Sequence, residues 1–181
     1  MAEIKSDAER LMRLVRNVPD YPKKGIVFRD ITTLIKNGDA FDEVINIFCK
    51  ICKDKKVDLV AAVESRGFIF GGALANKLKV GFVPIRKFGK LPADTVVEKY
   101  DLEYGTDTLE IHKDAILPGQ NVLLVDDLLA TGGTIQAACK LVEKLGGSVV
   151  RILVLIELVF LRGRERIKNY DLFTLIKYDQ E

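Results

Sequence analysis

The sequence predicts an α/β fold: a mostly parallel, twisted, doubly wound sheet with helices on its faces. Three observations lead there. Short apolar runs such as "DLVAAV", "NVLLVDD" and "SVVRILVLIEL" have the makeup of strands buried on both faces. Segments of helical pattern, "FIFGGALANKL" and residues 135–145, stand between such runs, as in a sheet built from strand–helix–strand units. Three of the strand ends, "VESRG", "IRK" and "VDDLLATGGT", are polar, and ligands of such sheets sit at the carboxyl ends of the strands.

The elements follow in order. Ile4, Leu11, Leu14, Val15 and Val18 predict an N-terminal amphipathic helix, ended by Pro19 and Pro22. "DYPKKGIVFRDITTLI" is loop-like. Phe41, Val44, Ile45, Phe48, Cys49 and Cys52 then form the apolar stripe of a second helix. "DLVAAV" is the first buried strand; "ESRG" and a helix follow it. "VGFVPIRK" is the second strand and "NVLLVDD" the third, with a helix over 135–145 stopped by Gly146 and Gly147. "SVVRILVLIEL" and "DLFTLIKY" complete the sheet. Residues 87–117 interrupt the alternation, because "TVVEKYDLEYG" and "TDTLEIHKDAI" read as hairpin strands around a mobile excursion, a candidate lid. With no repeat, low-complexity tract or linker, residues 1–181 read as one domain.

Composition narrows the function. The 181 residues are 48% hydrophobic and 30% charged, in the range of an ordinary globular domain with a substantial core. A net charge of +2 supplies no global field for nucleic acid or an anionic membrane, so any phosphate must be held by a local site. The longest apolar run is interrupted by Arg151 and Glu157, and the charged N-terminus lacks a signal-peptide core, so no membrane association is expected. Three cysteines outline no disulfide framework, which fits a reducing compartment and a cytoplasmic protein. Cys49 and Cys52 form C-x-x-C on the apolar side of a helix with no second ligand pair, so buried thiols are expected there rather than zinc or redox chemistry.

"VLLVDDLLATGGT" raises the central question, since Asp126 and Asp127 precede a turn suited to an anion. Between a buried strand and a helix, the backbone N–H groups of Thr131, Gly132, Gly133 and Thr134 converge, the helix dipole adds to them, and the threonine hydroxyls donate further. No lysine follows the glycines, so this is not a triphosphate-binding P-loop, and G-x-G-x-x-G is missing too. A sugar monophosphate suits the turn better. The acids then lie along the sugar, where they accept hydrogen bonds from vicinal hydroxyls, directly or through hydrated Mg2+, and stabilise positive charge at an anomeric carbon. The alternatives are a receiver-type acidic pocket, which leaves the Thr-Gly-Gly-Thr turn unexplained, and a plain tight turn with a capped helix.

This stretch resembles the phosphoribosyl diphosphate (PRPP) motif of the type I phosphoribosyltransferases. "YPKKGIVFRDITTL", "VESRGFIFGGALA", "IRKFGKLP", "LEYGTDTLEIHKDAI" and "IELVFLRGR" resemble segments of the adenine-specific members, in the same order. The resemblance implies the type I phosphoribosyltransferase fold with a small hood over the base, formed within about residues 1–36, and a flexible lid within about 87–117. It implies transfer of ribose 5-phosphate from PRPP to adenine, giving AMP and pyrophosphate, with Mg2+ as cofactor and a homodimer as the assembly.

It also implies roles. Ser65, Arg66 and the N–H of Gly67 would hold the diphosphate, on a peptide often strained in the family; Glu64 is either a neighbour of the site or structural. Arg86 and Lys87 would reach the partner's active site. Phe28 would stack on the purine, the main chain of Val27 and Arg29 would read its edge, and Leu128 and Leu158 would pack from the other side. Ala130 lies in the phosphate turn. Glu103 would act as general acid or base on the imidazole edge, with Tyr104 closing the loop and Asp126 and Asp127 serving the ribose. No metal ligand is direct: Mg2+ would be held mainly by PRPP, and through water by the two aspartates. His112, the only histidine, has no triad partner. A non-catalytic PRPP-sensing regulator is the rival reading, but the chain has no added DNA-binding module or basic recognition stripe. Another base, such as hypoxanthine, guanine or orotate, is disfavoured by "GIVFRD".

Overall fold

A computed structural model of the chain describes residues 2–101 and 105–180. Its centre is a seven-stranded sheet. The strands are β3 (Leu59–Val63), β4 (Gly81–Lys87), β5 (Thr95–Asp101), β6 (Thr106–His112), β7 (Asn121–Leu129), β8 (Ser148–Leu158) and β9 (Leu172–Tyr178), in the spatial order β5-β6-β4-β3-β7-β8-β9. The five strands from β4 to β9 in that order run parallel; β5 and β6 form an antiparallel hairpin that joins at the edge through Arg86↔Glu110 and Lys87↔Leu109.

Both faces of the sheet are covered, which is why the strands read as unbroken apolar runs. Along β7, Leu123 and Val125 face one core with Phe48, Phe70 and Leu74, whereas Val122 and Leu124 face the other with Ile135, Ala138 and Val142. The first core is closed by α1 (Ala2–Met12), α3 (Gly38–Ile51) and α4 (Gly67–Leu78), and the second by α5 (Gly133–Lys144). Asn37 caps α3, its side chain accepting from the N–H of Ala40 at 3.2 Å. Cys52 and Cys139 are buried as free thiols, whereas Cys49, expected to be buried with Cys52, is only partly so; burial pushes the Cys52 thiol up to about 11.

Several boundaries differ from the sequence reading. The first helix ends at Met12, well before Pro19, because Arg16–Val18 becomes β1 and pairs antiparallel with β2 (Phe28–Asp30). Leu11 and Val15 are still buried, but a turn rather than a helix carries Val15 inward. The loop-like stretch ends in a short helix, α2 (Thr32–Ile35). The helix expected over 135–145 begins two residues earlier, at Gly133. β7 runs on through the acid pair to Leu129, so Asp126 and Asp127 lie within the strand.

Candidate active site

Counting only the parallel strands in chain order, β3, β4, β7, β8 and β9 are arranged 2-1-3-4-5. The order reverses between β3 and β7, and a crevice opens beyond the carboxyl ends of strands at such a switch. Leu59–Val63 runs alongside β7 with Ala62 opposite Val125, so the segment after β3 and the acid pair lie side by side. The chain leaves β3 through a cis peptide between Glu64 and Ser65 and enters α4 at Gly67. A Cβ on Gly67 would stand 2.9 Å from Asp126 Oδ1 and 3.3 Å from its Cα, so only glycine lets the start of α4 press against the acid strand.

Arg66 stands at the centre of this crevice. Its Nη2 lies 2.8 Å from Asp127 Oδ2, and its guanidinium carbon lies 5.1 Å from the centroid of the Phe28 ring. The contact with Asp127 is an ion pair without hydrogen-bond alignment, since Oδ2 is buried and accepts no hydrogen bond. Asp126 and Asp127 are only 7% and 6% exposed. Burial, with the neighbouring charge of Asp127, pushes the Asp126 carboxyl well above the usual carboxylate range; burial also raises Asp127, opposed by Arg66. Asp126 Oδ1 accepts the N–H of Asp127 at 2.9 Å. A cavity of about 170 Å³ opens here, lined by Arg66, the acid pair and the turn that follows.

The turn after the acid pair is the one read from the sequence as an anion cradle. Gly132 is the N-cap of α5 with φ of 83°, and no side chain among the described residues caps the helix, so its first N–H groups are without a side-chain acceptor there. Gly132 also meets Gly163: a Cβ on Gly132 would lie 2.5 Å from the Gly163 carbonyl oxygen, and one on Gly163 would lie 2.1 Å from that of Ala130. The two backbones interlock. Gly163, at the start of a 3₁₀ turn (Gly163–Ile167), is thus a site-shaping residue that sequence reasoning did not single out; its one signal was a lone glycine between charged residues in "FLRGRER".

The other expected residues divide into those brought to the crevice and those held elsewhere. Phe28 and Val27 are half-buried at the hood, and Phe28 packs edge-on against Tyr21 at 5.3 Å rather than in the core. Leu128, next to last in β7, and Leu158, last in β8, are half-buried. Ser65 is exposed at the crevice, and Ala130, Thr131 and Thr134 line the turn. Arg86 and Lys87 are held within the chain: Arg86 Nε donates to Glu64 Oε2 at 2.5 Å, and Lys87 Nζ lies 3.1 Å from Asp107 Oδ2. Glu64 therefore has a structural partner. Glu103 and Tyr104 lie outside the described residues. Among the described residues no three metal-ligating side chains gather, so a dication at this site would find two carboxylates here and need the rest of its oxygens from a ligand, which is how Mg2+ is commonly bound.

A larger groove, of about 600 Å³, lies between α1 and β9 and is lined mainly by apolar residues such as Ile4, Met12 and Phe173. It shares no lining residue with the cavity at the acid pair. No helix of the described residues is long and apolar enough to cross a membrane.

A buried acid pair is followed by a glycine turn into a helix at the switch point, and residues 30–180 match the phosphoribosyl transferase domain: the chain belongs to the phosphoribosyltransferase family. More particular relatives agree with one another. An adenine phosphoribosyltransferase of Thermoanaerobacter sp. (strain X514) is 57% identical over 170 residues, 94% of this chain and 98% of that protein. The crystal structure of adenine phosphoribosyltransferase from Thermoanaerobacter pseudethanolicus superposes with a TM-score of 0.92 at 56% identity, covering 94% of this chain and 99% of that one. The Saccharomyces cerevisiae enzyme, solved with an iminoaltritol bisphosphate and adenine, superposes with a TM-score of 0.90 at 41% identity, covering 94% and 99%.

Proposed function

We propose that this protein is an adenine phosphoribosyltransferase, transferring ribose 5-phosphate from PRPP to adenine with release of pyrophosphate. The observation that carries the reading is the Arg66 bridge, which touches both the aspartate facing the sugar position and the aromatic ring of the hood. One guanidinium thereby joins the pentose and base halves of a single crevice. The identity of the relatives supports the base.

In this reading the amides of residues 131–134 hold the 5′-phosphate, and Asp126 and Asp127 lie along the ribose. As the anomeric C–O bond breaks, positive charge grows on the sugar, and the two carboxylates stabilise it. Ser65, Arg66 and the Gly67 N–H bind the departing diphosphate. Asp126 and Asp127 would help hold Mg2+ through water, and the ion would supply neutralisation of the diphosphate charge. Phe28 stacks on adenine, Leu128 and Leu158 pack against it, and the main chain of Val27 and Arg29 pairs with its edge. Hypoxanthine would leave such groups unpaired, a costly mismatch. Glu103 takes the proton that adenine loses as N9 bonds to the sugar, and Tyr104 helps exclude water as residues 87–117 close. Arg86 and Lys87 add charge for the diphosphate in a cytoplasmic homodimer, after exchanging Glu64 and Asp107 for the new anion. The whole chain works as one domain.

Incubation with PRPP, Mg2+ and each purine base or orotate, assayed for nucleotide and pyrophosphate, tests the reading. AMP is expected from adenine and little product from the others; PRPP binding without turnover would support a sensor instead. Glu103→Gln is expected to lower kcat by about 100-fold while the affinity for PRPP stays within about threefold, the size of a general acid–base contribution. Unchanged kcat would remove Glu103 from the mechanism.

A further inference from the structure

The hood is fastened to the far end of the chain by one buried cation. Arg29, on β2, is only 7% exposed. Its Nη1 donates to Asn17 Oδ1 at 2.7 Å, across the ladder in which Asn17 and Arg29 are paired. Its Nη2 donates to the carbonyl oxygen of Gln180 at 3.3 Å, and its guanidinium carbon lies 4.0 Å from the centroid of the Tyr178 ring. Tyr178 is the last residue of β9 and is registered against Leu158, the last of β8. A single side chain therefore connects the hood to the C-terminal strand, which itself lies beside the end of β8.

This arrangement is costly for stability alone. Among the described residues Arg29 has only neutral acceptors, its Nε is buried without a partner, and so is the Tyr178 hydroxyl. A buried guanidinium with no carboxylate beside it is less favourable than an apolar side chain of similar length. What the guanidinium offers and a methionine does not is a fixed direction, through two hydrogen bonds and a ring face in a planar fork.

We propose that Arg29, acting through its side chain on the face of Tyr178, is a positioning residue for the purine. It sets the separation between the main chain of residues 27–29 and Leu158, and thereby the width of the base slot. The inference rests on the adenine reading above. Main-chain recognition discriminates between bases only where the backbone edge is held to within a fraction of an ångström, and a hood of two three-residue strands does not supply that rigidity by itself. The partner on Tyr178 is its ring; the hydroxyl contributes nothing to the contact, since it has no partner among the described residues.

The test compares wild type with Arg29→Met, Tyr178→Ala and Tyr178→Phe in the full chain. It measures KM for adenine, KM for PRPP, turnover with hypoxanthine, and affinity for ribose 5-phosphate by calorimetry. Arg29→Met and Tyr178→Ala are expected to raise KM for adenine about tenfold and to narrow the preference over hypoxanthine, with KM for PRPP and ribose 5-phosphate affinity within about twofold. Tyr178→Phe is expected to match wild type. A parallel rise in both KM values, an unchanged KM for adenine, or a Tyr178→Phe as damaging as Tyr178→Ala would each overturn the proposal. If Arg29→Met does not fold, Tyr178→Ala decides, with ribose 5-phosphate binding as its check on folding. A wild type inactive on adenine would refute the functional reading instead, whereas an active one without the split sinks this inference alone.

Discussion

Asp126 and Asp127 show at the scale of single residues how a site is held at the expense of the fold. Burial raises both carboxyls, and the charge of Asp127 raises Asp126 further. A carboxyl whose pKa is higher in the folded state binds more protons there than when unfolded. Stability therefore falls as pH rises from the unfolded value through the folded one, and above the folded value the ionised pair remains a cost. Asp126→Asn keeps the acceptor for the Asp127 N–H and removes the buried charge. It is expected to raise the Tm of the ligand-free protein at pH 7 by about 2–4 °C, as about 1 kcal/mol does in a chain of this size, with the gain shrinking in acid. Asp126→Asn with Asp127→Asn is expected to cut activity by at least about 100-fold even at saturating Mg2+. Melting curves against pH and initial rates check the two statements separately; a lower Tm with near-normal rates would contradict both.

Among the elements, the β5–β6 hairpin qualifies the expectation of a mobile lid. Its stem is docked: Glu98 lies 3.0 Å from Lys140 Nζ and 2.6 Å from Lys144 Nζ on α5, and Lys144 also donates to the Val97 carbonyl at 2.8 Å. The lysines hold the Glu98 carboxyl below its ordinary range. Any closing motion within residues 87–117 must work around this anchored stem. Glu98→Gln should loosen it by about 1 kcal/mol, the upper range for an exposed ion pair. Amide exchange across β5 would then speed about fivefold, with little change in Tm; unaltered exchange would show that strand pairing alone holds the hairpin. Helix and strand positions in the sheet were legible because buried runs and apolar stripes persist over many residues. β1, β2 and α2 were not, since elements of three or four residues carry no periodicity to read.

The whole molecule explains why chemistry gathers where it does. The strand order reverses between β3 and β7, bringing a loop that follows residue 63 beside an acid pair more than sixty positions later in the chain. In the proposed reading the cradle is backbone and needs no metal, while the diphosphate needs its charge neutralised. Chelation with excess EDTA is therefore expected to abolish transfer from PRPP, yet leave ribose 5-phosphate affinity within about twofold, with Mg2+ restoring turnover. Full activity in EDTA would remove the dication from the scheme.

The amino-acid order alone determined the sheet, its flanking helices and the acid pair with its Thr-Gly-Gly-Thr turn, because burial on two faces and a glycine turn into a helix each impose a local pattern. Only the tertiary structure decided that Arg66 meets both Asp127 and Phe28, that Gly132 interlocks with Gly163, and that Arg29 rests on Tyr178. Those contacts join residues far apart along the chain. Their geometry is set by how the strands cross and pack, which no local pattern encodes.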